Sequence, residues 1–195
     1  GWVSGNASCK WNYLPGIGWP KDFLKAITME ELEQKVPSEI LPVGTVIGFL
    51  KKDVAQEIGC EAGIPVAQGG IDAHISMIGL GNFEEEEVSL VLGSSSVFLM
   101  NVRACDVIPG FWGPYKDPLY KDILLIEGGQ VSSGSILNWL VEKIAKQYVF
   151  EAQKNRVTPF DLLDAESLKV PPGANELVIL DHWQGNRTPY KDPRS

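Results

Sequence analysis

Val66-Ala67-Gln68-Gly69-Gly70-Ile71-Asp72-Ala73-His74-Ile75-Ser76-Met77-Ile78-Gly79-Leu80-Gly81 is the stretch on which the fold turns. A short apolar run ends in two glycines, one carboxylate follows, and an apolar, small-residue segment resumes up to a closing Gly. This pattern predicts a buried strand that stops at a tight turn and hands over to a helix. The paired glycines let the main chain take positive φ or let another group approach it closely. Asp72 is then displayed at the mouth of the strand. A carboxylate there can serve as a general base, as a cation ligand or as the N-cap of the following helix.

The rest of the composition narrows the classes. At 195 residues the chain is long enough to bury a sizeable core, as one large domain or as parts of two. With 44% hydrophobic and 22% charged residues it reads as a globular protein. No stretch approaches the ~20 apolar residues that a membrane span needs. The opening Gly1-Trp2-Val3-Ser4 has no Met, no basic start and no apolar signal run. At the other end Asp192-Pro193-Arg194-Ser195 closes no element, so the expectation is an interior segment of a longer polypeptide. A net charge of −8 without any basic block argues against a nucleic-acid partner. An acidic chain can nevertheless hold a phosphate through backbone N–H groups. Cys9, Cys60 and Cys105 are odd in number and far apart, which argues against a disulfide framework or a zinc site and suits a reducing cytoplasm.

Along the chain, Gly5 to Pro20 is dense in Gly, Trp and polar residues and predicts an ordered loop packed by its own aromatics. In it, Lys10 beside Trp11 either faces a polar ligand such as a sugar or is a solvated cation next to a core ring. Residues 22–26 have a short helical pattern, and Thr28 with Glu31 has capping-box spacing. Pro37 and Pro42 break the chain. A strand is expected at 44–48, a helix at 52–59 ending on Gly59, and a strand at 64–67. The acid run Glu84-Glu85-Glu86-Glu87 reads as a solvated surface and not as a calcium site. Residues 88–92 and 97–102 read as a hairpin around Gly93-Ser94-Ser95-Ser96, whose amides and hydroxyls suit a phosphate but also suit an ordinary turn. After the aromatic and proline loop of 107–121, a strand at 123–126 is interrupted by Glu127-Gly128-Gly129-Gln130. A helix over 133–146 follows, with apolar residues at 136, 137, 140, 141, 144 and 145. Residues 150–163 are weakly helical or irregular, 170–174 a linker, 177–180 a last strand and 181–187 a polar loop. Strands alternating with helices across glycine turns give an α/β protein. His74 and His182 read as structural or hydrogen-bonding residues, since neither has partners at metal-ligand spacing.

These stretches together resemble the FGGY carbohydrate kinases, in particular the ribulokinase-like pentulose kinase branch. The resemblance is carried by Ser8-Cys9-Lys10-Trp11-Asn12-Tyr13 with Gly18-Trp19, by Gly69-Gly70-Ile71-Asp72-Ala73-His74, by Pro109-Gly110-Phe111-Trp112-Gly113-Pro114-Tyr115 followed by Glu127-Gly128-Gly129-Gln130, and by Gly185-Asn186-Arg187-Thr188-Pro189. It implies an actin-like ATPase, ribonuclease H-like fold in two domains, with ATP and sugar meeting between them. Residues 1–80 would be the C-terminal part of the sugar-binding domain and 81–195 the front of the nucleotide-binding domain. The same resemblance makes Asp72 the catalytic base and puts Lys10, Asp72 and Glu127 on sugar hydroxyls. Gly93, Ser94 and Ser95 would touch the nucleotide phosphates, and Gly134 and Asn138 match nucleotide-contact positions in the related glycerol kinases. Ser94 stands where Thr is usual, Ser76 and Met77 replace small glycines, and the link over 82–88 is short. The family's GxDxGT phosphate loop and its glycine-rich adenine loop are absent, so this stretch alone is expected to be inactive.

The implied reaction is phosphoryl transfer from ATP with Mg²⁺ to the terminal hydroxyl of a ketopentose such as ribulose, or of a similar polyol. An ordinary Asp (pKa ≈ 3.9) is a weak base for an alcohol. A loose transition state needs little deprotonation until late, so positioning supplies most of the rate. Two rivals stand beside it. A hydrolase using Ser94 or Ser95 with His74 and Asp72 has the residue types but no nucleophile-elbow spacing. The presence of Lys10, Asp72 and Glu127 weighs against a non-catalytic sugar-binding descendant of a kinase, which decay of the phosphate and adenine loops would mark. The sequence leaves open which sugar is used and the oligomeric state, a homo-oligomer included.

Overall fold

The computed structural model describes residues 2–36, 39–85 and 87–195, with side chains from Gly5 onward. The expected break at Pro37 and one carboxylate of the acid run, Glu86, lie outside the described residues, as does Gly1. In chain order the strands are β1 (Trp2–Val3), β2 (Ile40–Leu41), β3 (Val46–Phe49), β4 (Pro65–Ala67), β5 (Val88–Leu92), β6 (Ser96–Val102), β7 (Trp112–Lys116) and β8 (Leu124–Gln130). The helices are α1 (Ser4–Trp11), α2 (Lys21–Ala26), α3 (Leu32–Lys35), α4 (Lys52–Ile58), α5 (Asp72–Gly79), α6 (Gly134–Trp139), α7 (Lys146–Asn155) and α8 (Pro159–Ser167). A π-helical turn over Leu140–Ile144 joins α6 to α7, and a short 3₁₀ turn covers Ala174–Glu176. Strands β1 and β2 pair in parallel, β3 and β4 antiparallel, and four strands form a sheet in the order β5-β6-β8-β7. The chain divides into two compact units, one of residues 1–91 and 98–128, the other of residues 92–97 and 129–195.

In the first unit, helix α1 forms where a loop was expected. Its residues are poor helix formers, so the helix is held by packing and not by propensity. Ala7 and Ser8 are buried, and Gly5 lies so close to Pro118 that a Cβ there would come within 2.5 Å of the Pro118 carbonyl oxygen. The aromatics of this region do pack on one another, with Tyr13 and Trp19 edge to face at 5.1 Å between ring centroids. Strand β4 leads to α5 as expected, but it is not buried: Val66 is 40% exposed, and the β3-β4 pair is a two-stranded antiparallel ribbon. The capping box expected at Thr28 does not form. Thr28 has φ of +55° and donates its hydroxyl to the Ile27 carbonyl, and α3 starts only at Leu32. Helix α4 ends on Gly59 in the left-handed conformation, as the sequence implies.

Part of the expected aromatic loop is strand β7, which pairs with β8 in the register Trp112↔Glu127, Tyr115↔Leu125 and Lys116↔Leu124. Gly113 and Pro114 together oppose Ile126, a bulge that accommodates a proline unable to donate to the ladder. The expected interruption at Glu127-Gly128-Gly129-Gln130 does not occur; β8 runs through it. Leu99, Leu125, Met77 and Leu24 are buried in this unit. A polar knot holds the 82–89 link: Asn82 donates to the Glu87 carbonyl at 3.1 Å and to Ser89 Oγ at 2.9 Å, while the Tyr120 hydroxyl donates to the Asn82 carbonyl at 3.3 Å.

In the second unit, the single helix expected over 133–146 is α6 plus the π turn, and the weakly helical stretch beyond it resolves into α7 and α8. Val141, Ala145 and Ala152 are buried there. The strand expected at 177–180 is absent; those residues are exposed and unpaired into a sheet, Val178 by 86%. The clearest helix start is one the sequence reading passed over. Asp161 N–H donates to Thr158 Oγ1 at 3.2 Å and Thr158 N–H donates back to Asp161 Oδ2 at 2.7 Å, with Pro159 at the first helical position. Those bonds hold the Asp161 carboxyl below its ordinary range, so the cap is complete at neutral pH and is lost as pH falls through that lowered value. Thr158→Ala is expected to destabilise the fold by about 1 kcal/mol and Thr158→Ser by much less. Urea unfolding of the two variants at pH 7 checks this.

Candidate functional site

The backbone is extended at Ile71 and becomes helical at Asp72, so the carboxylate stands at the first helical position. Successive helix residues are about 100° apart, so residues two apart face opposite ways. Asp72 therefore stays exposed while His74, 1% exposed, enters the core together with Met77. Asp72 is not the N-cap; that position is Ile71, without a side-chain cap. Among the described residues its Oδ1 accepts one local bond, from the Ala73 N–H at 2.8 Å, and the Ser76 hydroxyl donates to its backbone carbonyl at 2.9 Å. Ser76 and Met77 are thus both accommodated, one by this bond and the other by burial.

Two more expected groups of the first unit bear on α5. Lys10 sits exposed in the last turn of α1, where a cation is favoured by the helix dipole. Glu127, 7% exposed, comes from the buried strand β8, and its Oε2 lies 3.9 Å from His74 Nε2. Burial pulls the His74 pKa down to about 4, with the nearby Lys10 charge adding to the drop and Asp72 opposing it. Burial thus favours the neutral ring at pH 7 where His74 approaches Glu127. Nδ1 of His74 is buried without a hydrogen-bond partner among the described residues. A nearby cavity of about 290 Å³, lined by Tyr13, Pro42 and Tyr120 among others, includes none of Lys10, Asp72 and Glu127. The Lys10, Asp72 and Glu127 side chains have groups that can hold a polyhydroxy ligand, and Asp72 one that can take a proton from it.

The second unit holds the other expected positions. Gly93 and Ser94 are exposed at the hairpin tip, and segment 133–135 braces them from behind. Ser133 and Gly134 N–H groups donate to the Ser94 and Gly93 carbonyls at 2.8 and 3.1 Å, and the Ser133 and Ser135 hydroxyls donate to the same two carbonyls at 3.2 and 3.1 Å. The amides and hydroxyls of Ser94 and Ser95 have no protein partner among the described residues, so they remain open to an anion. Gly134 begins α6, and a Cβ there would come within 2.6 Å of the Gly93 carbonyl oxygen; only glycine allows this approach. Asn138, exposed, is one turn further along the same face of α6. Ser133 and Ser135 were missed in the sequence, although the hydroxyl-rich run ahead of an apolar-periodic helix was visible. No group of three metal-ligating side chains occurs among the described residues, and no helix there is long and apolar enough to cross a membrane. Cys9, Cys60 and Cys105 are free, and burial pushes the Cys9 thiol up to about 12.

Two outcomes follow from this geometry. Between about pH 6.5 and 4 the unfolded chain binds a proton on His74 that the folded chain refuses, so stability is full above that window and falls on acidification through it. Urea midpoints are expected to drop by an amount worth roughly 3 kcal/mol at full extent, and His74→Gln is expected to flatten that part of the profile. Gly134→Ala must displace the hairpin tip or the start of α6, with an expected loss of about 1–3 kcal/mol in the same assay.

Comparison with known proteins gives the family. Residues 88–195 match the model of the FGGY family of carbohydrate kinases, C-terminal domain. A ribulokinase of Staphylococcus aureus is 30% identical over 161 residues, 83% of this chain and 30% of the relative. The chain thus spans about 30% of the length of the curated relatives it matches. Among solved structures, a xylulose kinase of Lactobacillus acidophilus aligns over 100% of this chain and 37% of its own, at 20% identity and a TM-score of 0.72. A gluconate kinase of the same organism aligns over 91% of this chain and 33% of its own, at 22% identity and a TM-score of 0.65. The fold is the actin-like, ribonuclease H-type fold of these sugar kinases. With more than half of its residues matched by the family model, the chain belongs to the FGGY family of carbohydrate kinases.

Proposed function

We propose that this chain supplies the acceptor-sugar residues and part of the phosphate-holding surface of an ATP-dependent carbohydrate kinase acting on the terminal hydroxyl of a ketopentose such as ribulose. The observation that carries the reading is the exposed Asp72 carboxylate at the start of α5, a helix whose buried His74 feels the Lys10 charge and approaches Glu127. The ribulokinase relative supports a pentulose over other sugars. Residues 1–80 are assigned to the end of the sugar-binding domain and 81–195 to the front of the nucleotide-binding domain, in keeping with the family match starting at residue 88.

In this reading Lys10 and Glu127 hold sugar hydroxyls and Asp72 orients the attacking one, accepting its proton as the P–O bond forms. Because the transition state is loose, Asp72 needs no raised basicity; it must only be placed on the hydroxyl. The Ser94 and Ser95 amides and hydroxyls would hold ATP phosphates, and Gly134 and Asn138 would stand behind and beside them toward the nucleotide. The lack of protein partners at the Ser94 and Ser95 amides and hydroxyls among the described residues fits that task. Mg²⁺ would be carried on the nucleotide phosphates, where it neutralises charge that an acidic chain cannot. We place the enzyme in the cytoplasm, in keeping with three free cysteines.

The test uses the full-length polypeptide that bears this chain. ADP release with MgATP should be seen with ribulose ahead of xylulose, ribitol and glycerol. Asp72→Asn should lower kcat by ~10² or more with little change in the KM for ATP. Near-normal turnover by Asp72→Asn would refute the role, and sugar binding without ADP release in the parent would point to a non-catalytic descendant.

A further inference from the structure

The buried imidazole behind Asp72 has no task in the reaction as described, yet its surroundings give it one. His74 and Glu127 come from different elements, α5 and β8, and meet with both side chains nearly out of solvent, at 2% and 9% exposure. A neutral imidazole carries a single N–H. If the proton were on Nδ1, a buried donor would have no acceptor among the described residues, an arrangement that costs about 1–3 kcal/mol. With the proton on Nε2 the donor faces Glu127 Oε2, and Nδ1 keeps only a buried lone pair. The identity of the protonated nitrogen is set by the partner of the ring, and Glu127 is that partner. The 3.9 Å separation is longer than a hydrogen bond, and contacts of this kind commonly tighten when a substrate binds.

We propose that His74 is a positioning residue for sugar recognition: its Nε2–H orients the Glu127 carboxylate for a substrate hydroxyl. The inference rests on the reading of Glu127 as a sugar contact. The chemistry favours a neutral donor here. A cation at this point would draw the carboxylate into an ion pair and compete with the sugar. A neutral N–H fixes one carboxylate oxygen and leaves the charge available to a hydroxyl donor. The imidazole belongs to the same helix that begins with Asp72, so one element sets both carboxylates relative to each other. The substrate class is a polyol or ketose with a hydroxyl that donates to Glu127 while its terminal hydroxyl reaches Asp72.

The test is made on the full-length kinase, with ribulose and MgATP. His74→Leu should raise the KM for ribulose about tenfold or more while kcat and the KM for ATP stay within about twofold. His74→Gln, whose amide N–H can occupy the Nε2 position, should restore most of the loss, and His74→Asn should not. The double variant His74→Leu with Glu127→Gln should bind ribulose no worse than Glu127→Gln alone, because both changes remove one interaction. Multiplying effects in the double variant, or equal losses in the Gln and Leu variants, would overturn the proposal. If Glu127→Gln leaves the ribulose KM unchanged, the sugar-contact reading fails and the proposal falls with it. A measurement independent of turnover is the ¹⁵N spectrum of the His74 ring at pH 7, assigned by loss of its signals in His74→Gln. The expected form is neutral with the proton on Nε2; a proton on Nδ1, or a ring doubly protonated at pH 7, would overturn the assignment.

Discussion

The turn of direction between Asp72 and His74 is the constraint on which the site depends. A helix that starts at Asp72 must send residue 74 to its opposite side, so an exposed carboxylate and a buried imidazole are two consequences of one backbone geometry. Shifting the start of α5 by one residue would rotate both by about 100° and separate the carboxylate from its surroundings. The extended Ile71 fixes that start, and the buried His74 and Met77 on the inner face keep the helix from rolling.

Burial of polar groups is used in the same way elsewhere in the chain. Asn82, Ser89 and Asn101 are buried and bonded to one another or to backbone, which holds the segment between α5 and β5 without an apolar core of its own. In the second unit the hairpin tip is braced through its carbonyls by Ser133, Gly134 and Ser135, while the Ser94 and Ser95 amides have no protein partner among the described residues. Backbone donors fixed in this manner suit an anion because no reorganisation is needed when the charge arrives. Both arrangements hold a connecting segment in place by hydrogen bonds.

Much of this was legible from residue order. The glycine pair before Asp72, the hairpin around Gly93, the helix ending at Gly59 and the helical periodicity after Ser133 all signal themselves locally, through backbone freedom and apolar spacing. What escaped is what depends on distant partners. Helix α1 is written in Gly, Asn, Ser and Cys and exists because Gly5 and Ala7 fit against other elements. Strand β8 continues through Gly128 and Gly129 because a side chain at Gly129 would collide with the Ser96 carbonyl, so there the glycines permit close packing instead of a turn. Residues 177–180 have strand composition but no strand beside them among the described residues, and β-propensity alone does not make one. Lys10, Asp72 and Glu127 were picked out by family resemblance; that His74 lies among them is a fact of the tertiary structure, since nothing in the spacing of positions 74 and 127 announces it.

The central claim is that a sugar binds over α5 with Asp72 on its reacting hydroxyl. The most direct measurement is a crystal structure of the full-length protein with ribulose and a non-hydrolysable ATP analogue. The account predicts the terminal hydroxyl at about 2.6–3.2 Å from an Asp72 carboxylate oxygen, with Glu127 on a second hydroxyl. A sugar bound elsewhere, or bound with Asp72 turned away from every hydroxyl, would contradict it.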